Sequence, residues 1–305
     1  MTWAALSVLA AFLQNLRSAV QKRLTSRLST RAATATRFLY GLPCGTLWLA
    51  AVAGALGEPW PVPDLRFALF ATGGAAAQIA ATAFLLATFS RGSFAAGTTY
   101  SKTEGIQTVA FGYLVLGDRV SPGGLLGVVL SVLGVLTVSR TPSARSGARA
   151  ASASGERTAR WQALALGLGA GALFAVSAVG YRGASLALGD GHFLLRSACT
   201  LVFALAVQSL ASVLWLRLAE PGALTRVARA WRPGVLAGLA GAGASAGWFA
   251  AFTLVDAAYV KAVGSIELVF AVLSAWLLFR ETPSATELAG VALVMAGVIV
   301  TVTMR

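Results

Sequence analysis

Apolar runs of membrane-spanning length recur along the whole chain, separated by short stretches that contain Gly, Pro or charged residues. A spanning helix takes about 20 apolar residues. The runs that suit this length are residues 3–20, 32–56, 65–89, 94–116, 121–139, 162–181, 192–216, 234–254, 257–279 and 285–303. The pattern predicts an all-α polytopic membrane protein with ten transmembrane helices.

Residues 140–160 break this pattern, because they are rich in Arg, Ser, Ala and Gly and have no apolar periodicity. Such a composition is typical of a flexible linker. Five predicted helices lie on each side of it. We therefore expect two five-helix repeats, at 1–139 and 161–305, joined by a flexible basic linker.

The composition excludes an ordinary soluble domain, since 57% of the residues are hydrophobic and 11% are charged, against about a quarter charged in soluble proteins. The net charge of +13 is therefore interpreted through membrane topology, and no nucleic acid partner is expected. Cys44 and Cys199 lie in apolar runs without a CxxC partner or clustered histidines, so we predict no metal and no cofactor. No Ser/His/Asp order, HExxH or GxxxxGK[ST] motif indicates an enzyme.

The C-terminal parts of the two halves resemble each other. Residues 100–138 align without a gap with residues 263–301, and the paired positions include Glu104 with Glu267. Other identical pairs are Ser121 with Ser284, Gly127 with Gly290, and Gly134 with Gly297. Paired intramembrane glutamates do not arise from apolar composition alone, so we infer a duplication.

An odd number of helices in each repeat requires the second copy to be inverted in the membrane. The basic residues agree with this inversion. One face carries Lys22, Arg23, Arg27, Arg31, Arg91, Arg140, Arg145, Arg149, Arg157, Arg160, Arg217, Arg226, Arg229, Arg232 and Arg280, whereas the other carries Arg66, Arg119, Arg182 and Arg305. Because cytoplasmic loops carry the excess of Lys and Arg, we predict a cytoplasmic linker and outward-facing termini in the plasma (inner) membrane.

The remaining charges lie inside the predicted spans and require a polar interior, since a charge near the bilayer centre costs a few kcal/mol. The bases are Arg17, Arg37, Lys102, Arg196 and Lys261, and the acids are Glu104 and Glu267. Each glutamate falls near the middle of its predicted helix. Both are candidates for binding substrate or a proton, and a static ion pair with a neighbouring base is the alternative.

Lys102 is two residues from Glu104 and so faces away from it, whereas Tyr100, Glu104 and Gln107 share one helix face. This polar stripe lines a site or packs against another helix. Glu267 is followed by three apolar residues and Lys261 lies off its face. We therefore predict that Glu267 is the less neutralised acid and carries the proton, while Glu104 orients the substrate.

Arg37 and Arg196 occupy similar places in the second helix of each repeat and are candidate gates, with snorkelling towards lipid head groups as the alternative. Together with Lys102 and Lys261 they outnumber the two glutamates. This excess of positive charge favours a carboxylate, sulfonate or phosphate-bearing solute.

The repeat, the glutamate-bearing fourth and ninth helices, and the segments LVLGDRVSPGGLLGVVLSVLGVLTV and LLFRETPSATELAGVALVMAGVIVTV resemble the drug/metabolite transporter superfamily, specifically its ten-helix EamA-type branch. The resemblance covers nearly the whole chain. It implies secondary transport of a small organic solute, commonly export, by alternating access without ATP. Members are often drawn with cytoplasmic termini, whereas the loop charges here favour the reverse.

The leading hypothesis is consequently a facilitative or proton-coupled transporter whose partners are a small organic solute and the lipid bilayer. A homodimer is compatible with the sequence. The rival hypothesis is a non-transporting scaffold or lipid-binding membrane protein whose buried charges only hold helices together.

The predicted topology can be tested with a cysteine placed in the 140–160 linker. A membrane-impermeant thiol reagent should label it in inverted vesicles and not in intact cells. Labelling from outside intact cells would show that the orientation is reversed.

Overall fold

A computed structural model describes residues 1–91, 101–139, 153–279 and 283–305 of the chain. All regular secondary structure in these ranges is helical. The helices are α1 (Thr2–Leu24), α2 (Thr30–Leu39), α3 (Gly41–Leu56), α4 (Leu65–Arg91), α5 (Glu104–Leu116), α6 (Pro122–Ser139), α7 (Ala153–Ala187), α8 (Phe193–Ala219), α9 (Ala223–Arg229), α10 (Trp231–Leu254), α11 (Ala257–Gly264), α12 (Glu267–Phe279) and α13 (Ala285–Thr303).

Six described helical segments are long and apolar enough to cross a membrane, and Pro122–Val138 is a shorter apolar helix. The six are Thr30–Leu56, Leu65–Leu85, Leu164–Ala187, Phe193–Ala219, Trp231–Leu254 and Ala285–Thr303. The chain is thus a multi-pass membrane protein, but ten spans are not confirmed. The first predicted helix carries Gln14, Asn15 and Arg17, which lower its hydropathy, and the ninth is divided into two short helices.

Only part of the predicted linker, residues 153–160, lies within the described ranges. Residues 140–152 lie outside the described part of the chain, and α7 begins at Ala153. The backbone of residues 153–160 is therefore helical, in contrast to the flexible segment expected there. Ala, Glu and Arg are good helix formers, so the helix can extend beyond the apolar stretch that starts at Leu164.

The helices form two compact units. The first unit comprises residues 1–75 and 180–255, and the second comprises residues 76–179 and 256–305. Each unit therefore takes segments from both predicted repeats.

In the second unit, α6 and α13 pack with their backbones in close contact. A Cβ atom added at Gly134 would lie 2.7 Å from the carbonyl oxygen of Gly290, and one added at Gly290 would lie 2.8 Å from that of Gly134. A Cβ at Gly297 would likewise lie 2.8 Å from the carbonyl oxygen of Gly127. The residue numbers rise along α6 while those of the contacting residues fall along α13. These corresponding helices of the two repeats are therefore antiparallel, as inversion requires.

In the first unit, two helix pairings correspond to each other when the two repeats are interchanged. On α10, a Cβ at Gly247 would lie 3.0 Å from the Cβ atom of Ala10 on α1. On α7, a Cβ at Gly180 would lie 3.0 Å from the Cα atom of Gly74 on α4. The first helix of each predicted repeat thus packs against the third helix of the other, and small residues permit the close approach.

At one end of the first unit, Glu220 connects the end of α8 to the start of α2. The hydroxyl of Ser29 donates to Oε2 of Glu220 at 2.7 Å, and Nη2 of Arg226 donates to Oε1 at 2.6 Å. These contacts lower the pKa of the Glu220 carboxyl, the hydrogen bond from Ser29 being the largest cause. Ser29 also caps α2 by accepting from the backbone N–H of Ala32.

The glycine contact predicts the effect of one added methyl group. Gly134→Ala should destabilise the protein by about 1–3 kcal/mol, because the new Cβ would meet backbone atoms of α13 that cannot move independently. Gly54→Ala is the matched control, since nothing lies within 4 Å of a Cβ there. Thermal unfolding in detergent should show a lower Tm for Gly134→Ala and no decrease for Gly54→Ala; equal Tm values would contradict the packing.

Candidate functional site

The two predicted glutamates each begin a helix instead of lying in the middle of one. α5 starts at Glu104 after a turn at residues 102–103, and α12 starts at Glu267 after a turn that follows Gly264. The positions aligned by the repeat are therefore interrupted at equivalent points. Helix N-termini favour negative charge because their backbone N–H groups lack partners within the helix.

Local sequence accounts for the interruptions. Thr103 and Ser265 lie in the two turns, and Ser265 follows Gly264. Gly destabilises helix interiors, while Ser and Thr compete for backbone hydrogen bonds. The apolar residues on both sides of each turn outweighed the effect of these few residues, so the sequence pattern predicted one continuous helix in each repeat.

The charged side chains at the two interruptions pair crosswise. Lys102 donates through Nζ to Oε1 of Glu267. Lys261 donates through Nζ to Oε2 of Glu104 at 3.4 Å. Lys102 lies in the turn before Glu104, and Lys261 lies four residues before the turn at 265–266. Each lysine reaches the glutamate that follows the turn in the other repeat. Two oppositely directed ion pairs thus join the broken helices within the second unit.

Both pairs are partly accessible. The side-chain exposures are 29% for Lys102 and 23% for Glu267, and 21% and 20% for Lys261 and Glu104. A fully buried pair incurs a large desolvation cost, whereas an exposed pair contributes little. Both pairs lie between these two limits, and their side chains retain contact with the surface.

Both glutamates have a lysine partner from the opposite repeat. Helix rotation excluded only partners on the same helix, so the sequence pattern did not predict these contacts. Glu267 is therefore not without a neutralising base, and which of the two acids carries the proton stays a prediction.

Gln107 lies one turn beyond Glu104. Its Nε2 donates to Oγ1 of Thr103 at 3.2 Å, and its Oε1 is buried without a hydrogen-bond partner among the described residues. A Cβ added at Gly171 on α7 would lie 3.1 Å from this oxygen. Tyr100, the third member of the predicted polar stripe, lies outside the described residues.

The two predicted gate arginines belong to the first unit, and their surroundings differ. Arg196 donates through Nη1 to the carbonyl oxygen of Gly189 at 2.7 Å, and so binds the loop that follows α7. Nε and Nη2 of Arg37 are buried and have no partner in the described part of the chain. Burial of these nitrogens does not fit a guanidinium that snorkels to lipid head groups.

The structure thus separates the predicted site residues. Glu104, Glu267, Lys102, Lys261 and Gln107 lie in the second unit, where the two lysines and two glutamates balance each other's charge. Arg37 and Arg196 lie in the first unit, and Arg17 lies near Arg37 there. The sequence signal for Arg17 was its position within a predicted membrane-spanning run.

Some aromatic residues that could have stacked a substrate have structural roles. The hydroxyl of Tyr259 accepts from the backbone N–H of Ser121 at 2.9 Å. Trp248 donates through Nε1 to Oε1 of Gln14 at 3.2 Å. Within the described ranges, no group of three or more His, Cys, Asp and Glu side chains is arranged to hold a metal ion.

The antiparallel pairing of corresponding helices, the multiple apolar helices and the charged interruptions define a polytopic membrane protein of the transporter class. The sequence matches the EamA-like transporter family over residues 1–140 and 161–303. The chain therefore belongs to the EamA-like transporter family, within the drug/metabolite transporter superfamily.

Comparison with solved structures supports the same fold. One crystal structure matches 98% of this chain and 95% of its own chain, with a TM-score of 0.72 at 16% sequence identity. At this identity the likeness shows the fold alone. The comparison with curated proteins gave no match.

Proposed function

We propose that the chain is a secondary transporter that exports a small organic solute across the plasma (inner) membrane by alternating access. Family membership supports transport of small solutes. The single observation that carries the mechanism is the pair of interrupted helices joined by crossed Lys–Glu contacts. Interrupted helices are where many secondary transporters place their substrate and coupling-ion sites.

The crossed pairs provide an element that can exist in two arrangements. Each pair links the two repeats, so separation of the interrupted helices on one side of the membrane must break or lengthen at least one contact. A proton or a charged solute group can replace the lost partner. Charge exchange at these contacts is therefore our proposed coupling between ligand binding and helix movement.

The charge balance supports an anionic solute. Lys102 and Lys261 are compensated by the glutamates, whereas Arg37 and Arg196 have no carboxylate partner among the described residues. The basic linker is proposed to face the cytoplasm, in agreement with the loop charges.

A scaffold or lipid-binding protein is the alternative function. One observation favours it: both glutamates already have lysine partners, which would suffice for static helix association. A scaffold needs the contacts only for stability, whereas a transporter also needs them to break. Transport activity measured alongside thermal stability therefore distinguishes the two functions.

Proteoliposome transport of a panel of amino acids, sugars and organic acids tests the proposal. We expect saturable flux of at least one solute. Single Glu104→Gln and Lys261→Gln substitutions should each lower the net flux at least tenfold, and the exchanged pair Glu104→Lys with Lys261→Glu should recover part of it. Asp64→Asn is a control, because the Asp64 carboxylate accepts from the backbone N–H of Phe67 and Asn retains this cap. Stability changes without any solute flux would favour the scaffold.

We expect proton coupling to depend on Glu104. Its contact with Lys261 spans 3.4 Å, beyond the usual hydrogen-bond distance, so a proton can replace this partner at a small Coulomb cost. We therefore expect Glu104→Gln to abolish accumulation driven by a pH gradient while solute exchange continues. Glu267→Gln should retain more of the pH dependence. The opposite result, measured as flux between pH 5.5 and 7.5, would assign the proton to Glu267.

A further inference from the structure

The first unit contains two arginines whose side chains approach the same glycine inside the predicted membrane region. Arg17 is seven residues before the end of α1, and Arg37 is seven residues after the start of α2. At a rise of about 1.5 Å per residue, both lie about 10 Å along their helices from the loop that joins them. Both are thus well away from that loop; Arg37 lies in the last turn of α2, which α3 follows at Gly41.

Gly241 on α10 brings the two arginines together. A Cβ added there would lie 3.3 Å from Cδ of Arg17 and 3.7 Å from Cβ of Arg37. The absence of a side chain at this position leaves space for both arginine stems. Like charges at such a place repel each other, and the low-dielectric surroundings strengthen the repulsion.

The guanidinium of Arg37 also has unused hydrogen-bonding capacity. Its Nε and Nη2 are buried without a partner among the described residues, while its Cζ atom lies 4.3 Å from the centroid of the Phe38 ring. A ring face stabilises a cation but accepts no strong hydrogen bond. Buried donors to which no acceptor is available destabilise a protein, so this arrangement favours an occupant that accepts hydrogen bonds and carries negative charge.

We propose that Arg17 and Arg37 form an oxyanion-binding site that takes the carboxylate or phosphate group of the transported solute. The guanidinium fork matches both groups, and its N–H donors bind them with charge-assisted hydrogen bonds. The assignment deepens the proposed function, on which its identification of the occupant as substrate rests. The crossed Lys–Glu pairs then serve coupling, and this site serves recognition.

Binding can be measured without transport. Purified protein in lipid-free maltoside is titrated with inorganic phosphate or with acetate at an ionic strength held constant with chloride, and the Tm is followed. A bound oxyanion stabilises the folded state. We expect a saturable rise in Tm with at least one probe, and at least a tenfold higher half-saturating concentration for Arg37→Gln and for Arg17→Gln.

Arg66→Gln is the charge-matched control in the same unit, since Arg66 lies over the Phe70 ring and is not part of the site. Its titration should resemble that of the wild type. In chloride alone, Arg37→Gln should be at least as stable as the wild type, because it removes an unsatisfied buried cation. A less stable or unfolded Arg37→Gln protein would indicate a structural arginine and count against the site.

Three results would overturn the assignment. These are no saturable response to either probe, unchanged titrations in both arginine variants, or loss of the wild-type response when phosphatidylglycerol is added, which would identify a lipid head group as the occupant. An undiminished response with lipid present supports a soluble anion. Oxyanion binding without flux in proteoliposomes would contradict the proposed transporter and leave the site standing, whereas flux without oxyanion binding would contradict the site alone.

Discussion

Charge inside a bilayer is the constraint on which this structure depends. An isolated lysine or glutamate in a span costs several kcal/mol, and the chain places two of each at two interrupted helices. Crosswise pairing compensates all four. The N-termini of α5 and α12 contribute further, because a carboxylate is stabilised in the first turn of a helix. The interruptions and the ion pairs thus depend on each other.

The crossed arrangement follows from the antiparallel relation of the repeats. In such a relation, a lysine on the N-terminal side of the glutamate in one copy faces the glutamate of the other copy, so Lys102 contacts Glu267 and Lys261 contacts Glu104. The glycine contacts between α6 and α13 fix the same relation independently of charge. Backbone packing of α6 against α13 therefore fixes the antiparallel relation of the repeats, and the Lys–Glu pairs form within that relation.

The lysines also break the symmetry. Lys261 aligns with Thr98 and Lys102 with Ser265, so the two pairs are not copies of one another. A transporter needs two states of similar free energy, and in our proposal two non-equivalent contacts allow one to separate before the other. The proposed recognition of the solute then lies at the two arginines beside Gly241.

The sequence predicted the features that depend on apolar composition and on the internal repeat. The apolar runs gave the helical class and most helix positions, and the alignment of Glu104 with Glu267 indicated equivalent sites. The interruptions before these residues were missed, because Thr103 and Ser265 are weak signals within strongly apolar surroundings. The ion pairs were missed because they join residues more than 150 positions apart. Proximity of Arg17 to Arg37 likewise depends on packing against α10, which periodicity does not reveal.

If the crossed pairs exchange partners when the interrupted helices move, the distance between α5 and α12 must take two values. Spin labels on cysteines that replace the exposed Ile106 on α5 and Leu273 on α12, with Cys44 and Cys199 changed to Ser, report this distance in nanodiscs. The wild type should show one main distance population, and Glu104→Gln should add a second, because it weakens the contact with Lys261. A single distance that Glu104→Gln does not alter would show that the pairs do not exchange.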